Sequence, residues 1–168
     1  YLKYAGWIRS TYSFVVDALS GERLDIMLQC VKLRVEGARE PNAPQHASQR
    51  DAFDIVMREV AADTHGDKAG KPVLVVGDAA SGKSTFARLF LILCMQQRRS
   101  PPLVPFLLTT IALVRVIKQS GLGGDYLDGY LRAVYGPRSR RYLFLKQAML
   151  ERRFVLFLDG MDEVPKDL

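Results

Sequence analysis

An α/β layered fold is what the sequence predicts, and three observations predict it. Apolar runs rich in β-branched or aromatic residues stand at Val73 to Val76, Leu103 to Leu108 and Phe154 to Leu158. They are continuous rather than alternating, as in strands buried on both faces of a parallel sheet. Helix-like stretches fill the chain between them, so strand and helix alternate. A glycine-rich loop, Gly77 to Gly82, leads from the first of these runs into a helix.

Ahead of that loop the pattern is mixed. Tyr1 to Arg9 suits a helix, whereas Tyr12 to Val16 and Met27 to Val35 carry β-branched and aromatic residues that suit strands, with a turn at Ser20-Gly21. Pro41, Asn42 and Pro44 break regular structure between Gly37 and Ala47, which reads as a linker. Residues 1–47 are therefore taken as an extension and linker, and 48–168 as the main domain. Ser48 as N-cap and Asp51 three residues later open a helix whose apolar stripe is Phe53, Val56, Met57 and Val60, ending near Asp63. Thr64 to Lys71 is a polar turn. Ser84 to Gln97 is a helix apolar nearly all round, the pattern of an element covered on several sides. Helical segments continue to Leu150, with breaks at Gly121 to Gly124 and at Gly136-Pro137.

Composition narrows the function classes. The chain has 168 residues, 48 % of them hydrophobic and 25 % charged, which is ordinary for a folded domain and unlike a disordered chain. No apolar run approaches the roughly 20 residues that span a bilayer, and nothing resembles a signal peptide, so the expected compartment is the cytoplasm. Two cysteines, Cys30 and Cys94, and two histidines, His46 and His65, lie too far apart for a zinc site. A net charge of +6 attracts phosphates in general. The clusters Arg98-Arg99, Arg138-Ser139-Arg140-Arg141 and Arg152-Arg153 stand at helix ends or in turns, where cations are solvated and favoured by the dipole at C-termini. No nucleic-acid partner is expected.

The chemistry-bearing segment is Gly77-Asp78-Ala79-Ala80-Ser81-Gly82-Lys83-Ser84-Thr85, a full match to G-x-x-x-x-G-K-[ST]. The glycines let successive backbone N–H groups turn inward towards phosphate oxygens, and the following helix presents its positive dipole end. Lys83 is placed to reach the β- and γ-phosphates, Ser84 to ligate magnesium, and Thr85 to lie near the α-phosphate. Four constrained positions make a chance match in a chain this long on the order of 1 %. A second segment, Phe154 to Glu163, is an apolar strand ending in Asp159, followed by Gly160-Met161-Asp162-Glu163. Carboxylates at the carboxyl end of such strands hold magnesium.

Together these residues resemble the NACHT family of signal-transduction P-loop ATPases. A small residue follows the metal-binding Asp159 and an acidic pair, Asp162 and Glu163, lies just beyond; the likeness covers residues 72–165. It implies a three-layer P-loop NTPase sheet, incomplete at the C-terminus, with a mixed N-terminal extension, and ATP/ADP and Mg2+ as cofactors. It makes Asp162 and Glu163 the groups that orient or deprotonate the attacking water. It also implies a nucleotide-dependent switch that self-associates in its ATP state within a larger multidomain protein. The start at Tyr1 and the end soon after the DGMDE segment suggest an interior excerpt. The strand expected after Asp159 would then be missing, leaving apolar edges that destabilise the isolated piece.

Two alternatives stay open: a P-loop kinase, with Arg138, Arg140 and Arg141 supplying a basic lid, and a nucleotide-binding scaffold without turnover. A GTP switch is disfavoured, because Asp162 stands where D-x-x-G requires glycine and no N-K-x-D occurs.

Overall fold

The computed structural model describes residues 1–17, 19–29, 53–58, 72–76, 78, 81–97, 101–121 and 124–161. Among them the chain is a mixed α/β protein with seven helices and two two-stranded sheets. In order these are α1 (Leu2–Tyr12), β1 (Phe14–Val16), β2 (Arg23–Asp25), α2 (Ile26–Gln29), α3 (53–58) and α4 (Lys83–Gln96). There follow β3 (Val104–Thr109), α5 (Thr110–Ser120), α6 (Tyr126–Tyr135), α7 (Arg140–Leu150) and β4 (Phe154–Asp159). Two compact units contain them: Tyr1–Ser13 with Leu91–Leu168, and Phe14–Phe90. The helix α4 begins in the second unit and ends in the first.

The larger unit is built on β3 and β4, which pair in parallel from Val104 opposite Phe154 to Thr109 opposite Asp159. Parallel neighbours need a long crossover, and α5, α6 and α7 supply it. Each crossover helix starts at a polar cap: Thr109 accepts from the Ala112 N–H, Asp125 from Asp128, and Ser139 from Tyr142. The breaks expected at Gly121 and Gly136 are where α5 and α6 stop, and both glycines have positive φ. Val104, Phe106 and Leu108 from β3 form one buried cluster with Tyr4 and Ile8 of α1, Leu91 and Met95 of α4, Leu131 of α6, and Tyr142, Leu145 and Ala148 of α7.

The outer side of β3 shows why α1 is there. The Val104 N–H donates to Arg153 O at 2.8 Å, so residue 104 faces β4 and residue 105 faces away from it. That outward position is Pro105, which has no N–H to leave unpaired, and its carbonyl accepts a 2.7 Å hydrogen bond from the Tyr4 hydroxyl. Tyr4→Phe should orphan this carbonyl and lower stability by about 1–2 kcal/mol. Urea unfolding measures the change, and an unchanged midpoint would show that water replaces the hydroxyl.

In the smaller unit β1 and β2 form an antiparallel hairpin with Phe14 opposite Asp25. The turn expected at Ser20-Gly21 is present. The Asp17 carboxylate accepts from the Ser20 N–H and hydroxyl, and Gly21 has φ +71°. Of the strand expected at Met27 to Val35, residues 27–29 are corrected, since they belong to the helix α2, and residues 30–35 lie outside the described residues. Asp25 explains this locally, because its carboxylate accepts the Met27 N–H at 2.8 Å and so starts a helical turn. Phe53, Val56 and Met57 are buried on one side of α3, as their spacing predicts, and the Phe53 ring lies 4.7 Å from that of Phe90.

The strand expected at Val73 to Val76 is also corrected. Residues 72–76 have no regular structure, and Leu74 and Val76 are each 81 % exposed. Apolar β-branched sequence suits a sheet interior, but a strand exists only within a ladder. Among the described residues the ladders are β1–β2 and β3–β4. The expected helix at Ser84 to Gln97 is found as Lys83–Gln96, with Phe86, Leu89, Phe90, Leu91, Ile92, Cys94 and Met95 buried around it. The expected linker, the cap at Ser48 and Asp51, Val60, the 64–71 turn and Arg98-Arg99 lie outside the described residues.

The arginine cluster at 138–141 also differs from expectation. Arg138 lies in a turn, as expected, but Arg140 and Arg141 open α7, at the end where the dipole is positive, and no acidic residue occupies that first turn. The dipole therefore opposes these charges. Arg141 is held instead by aromatic faces, its guanidinium carbon lying 4.2 Å from the Trp7 ring centre and 5.2 Å from that of Tyr135.

Candidate functional site

The glycine-rich loop closes on a single carbonyl. Asp78 O accepts the Ser81 N–H at 3.2 Å and the Lys83 ammonium at 2.8 Å, so the beginning and end of the loop meet there. Gly82 has φ +87°, a conformation open to glycine and strained for residues with a Cβ. Its carbonyl accepts from the Phe86 N–H at 2.8 Å, which makes Gly82 the cap from which α4 starts. Lys83, Ser84 and Thr85 then form the first turn, where backbone N–H groups lack partners inside the helix. No acidic side chain lies in that turn to neutralise it. Lys83 and Thr85 are half-buried and Ser84 is exposed. The structure thus brings together Asp78, Ser81, Gly82, Lys83, Ser84 and Thr85. Gly77, Ala79 and Ala80 lie outside the described residues.

Asp159 is the last residue of β4, half-buried and opposite Thr109 in the ladder. Because the strands are parallel, their carboxyl ends share one edge, the end at which α/β sheets bind ligands. The Thr110 hydroxyl donates to Asp159 O at 3.0 Å, anchoring the backbone of the carboxylate-bearing residue to the start of α5. Gly160, the first residue past the strand, has φ +75°. Thr110 escaped the sequence reading because a lone threonine after a strand carries no distinctive signal. Asp162 and Glu163 lie outside the described residues. The loop belongs to the smaller unit and Asp159 to the larger.

Among the described residues no group of three or more His, Cys, Asp or Glu side chains would hold a metal by itself. Magnesium seldom needs one, since it keeps waters and binds through one or two carboxylates and the phosphates of its partner. The Ser84 hydroxyl and the Asp159 carboxylate, each considered within its own unit, are hard oxygens of the kind that suit magnesium. There is no helix among the described residues long and apolar enough to cross a membrane. The chain matches no protein-family model, no curated protein and no solved structure.

Proposed function

We propose that this chain is an ATP-binding module of the NACHT type, the N-terminal half of a three-layer P-loop domain. The observation that supports the reading is the described part of the loop: Gly82 in a left-handed conformation, Lys83 folded onto Asp78 O, and a helix start without acidic residues. Such a loop offers inward N–H groups and one ammonium to a polyphosphate. Ser84 and Asp159 would hold Mg2+, which supplies charge neutralisation at the phosphates. Asp162 and Glu163 orient the attacking water, and one of the two takes its proton. The water oxygen bonds to the γ-phosphorus as the bond to the β–γ bridging oxygen breaks, giving ADP and phosphate. In the larger protein this cycle switches a self-associating ATP state on and off, in the cytoplasm.

The test is ATP and GTP titration of the chain with and without magnesium. ATP should bind with a strong magnesium requirement and GTP more weakly. Asp159→Asn should remove most of that requirement, because one charge leaves the metal's shell. Equal magnesium dependence in variant and parent would take Asp159 out of the site.

A further inference from the structure

We propose that Thr110 is a positioning residue for the metal-holding role of Asp159, an inference that rests on the function proposed above. The Thr110 hydroxyl donates to Asp159 O at 3.0 Å. Thr110, Asp159 and Gly160 are all half-buried. The contact joins the first residue of α5 to the last residue of β4, at the edge where the two parallel strands end.

The bond acts on a soft point of the chain. Asp159 O belongs to the peptide plane that joins Asp159 to Gly160, and that plane turns about ψ of Asp159 and φ of Gly160. Gly160 has φ +75° and no Cβ to restrict it, so the local backbone resists the rotation weakly. The rotamers open to an aspartate depend in turn on its own φ and ψ. A hydrogen bond that fixes the plane therefore narrows the positions of the carboxylate, although it touches only the backbone.

The two strands are not held equally. β3 is fixed by Val104, Phe106 and Leu108 in the core, whereas β4 leaves Leu156 and Leu158 exposed. Thr110, two residues beyond Leu108, ties the end of the looser strand to the firmer one. The neighbouring threonine has a different role. Thr109 lies opposite Asp159 in the ladder, and its side chain accepts from the Ala112 N–H as the cap of α5. Thr109 thus serves the helix, and Thr110 the carboxylate-bearing strand end.

The experiment is calorimetric titration of the chain and its variants with ATP, once with magnesium and once with a chelator in its place. The readout is the ratio of the two dissociation constants, and urea unfolding of every variant reports the fold. Thr110→Val removes the hydroxyl at nearly constant shape. It should lower the ratio by roughly tenfold, the lower end of the range for outer partners of metal ligands, with magnesium-free affinity unchanged. Thr110→Ala, also without the hydroxyl, should do the same. Thr110→Ser keeps the donor and should hold the ratio near that of the parent. Thr109→Ala removes the helix cap and should lower the urea midpoint while leaving the ratio alone. In an Asp159→Asn background, Thr110→Val should change the ratio no further, because it acts through that carboxylate. An unchanged ratio in Thr110→Val and Thr110→Ala, a ratio that Thr110→Ser fails to keep, an equal loss in Thr109→Ala, or a further loss in the Asp159→Asn background would each overturn the inference and leave the ATP-binding reading standing. A parent chain that binds no ATP, or binds it without regard to magnesium, would instead remove that reading and this inference with it.

Discussion

Lys83→Ala should lower ATP affinity by roughly 10- to 100-fold while leaving the chain folded. The ammonium is the only cationic side chain within the glycine loop, and a charge-assisted hydrogen bond to phosphate contributes about 1.5–3 kcal/mol. Two consequences of the substitution separate cleanly. Alanine at the first position of α4 is a good helix former, so the helix keeps its start. The 2.8 Å contact with Asp78 O disappears, so the loop loses the tie across its ends. Calorimetry reports the affinity and a thermal melt reports the fold. Unchanged affinity in a variant with an unchanged melt would remove Lys83 from the phosphate site, and with it the functional reading.

Asp128→Ala should destabilise the larger unit by about 2–3 kcal/mol. Asp128 is 8 % exposed and its carboxylate joins two helices. It accepts from Arg132 Nε on its own helix at 2.7 Å, and from the Tyr142 hydroxyl at 3.0 Å and Lys146 Nζ at 2.6 Å on α7. Arg132 and Lys146 are 56 % and 35 % exposed, so water screens part of their attraction. The main cost is the buried Tyr142 hydroxyl left without an acceptor, together with the lost charge-assisted bonds. Urea unfolding checks the value, and a loss under about 0.5 kcal/mol would show that the cluster is a solvated ornament of the surface.

The same group sets a pH dependence. Asp128 is held below the ordinary carboxylic-acid range chiefly by its hydrogen bond from Lys146, with Tyr142 and Arg132 adding to it against the opposing effect of burial. A depressed folded-state value means that its stabilisation is complete above the unfolded value, near 4, and is lost as pH falls through the lower folded value. The parent should therefore lose stability on acidification below about pH 4, and Asp128→Ala should lose less over the same interval.

Local chemistry was enough to read much of this chain. The glycine loop could be placed because the φ of Gly82 favours glycine, and because a lysine follows it directly. The helix breaks at Gly121 and Gly136 were legible for the same conformational reason. The strands at 104–109 and 154–159 announced themselves by unbroken apolarity, and α4 by being apolar all round. For the glycine turns and the helix the determining interaction lies within a few residues along the chain, whereas β3 and β4 pair across the whole α5–α7 crossover.

What the sequence by itself determined, then, is where backbone conformation and local burial change. The tertiary structure decided which segments answer one another. Residues 73–76 have the composition of a strand, yet they form none, because backbone hydrogen bonds in a sheet come from another segment and composition cannot supply it. Met27 is apolar enough for a strand, but the nearby Asp25 carboxylate captures its N–H first. Arg141 sits where the helix dipole repels it because Trp7, more than a hundred residues earlier, provides a face for it. Pro105 is tolerable inside β3 because that position points away from β4, and Tyr4 satisfies the carbonyl left there. These outcomes depend on contacts between residues far apart in sequence, whose free energies appear only once the chain has brought them together.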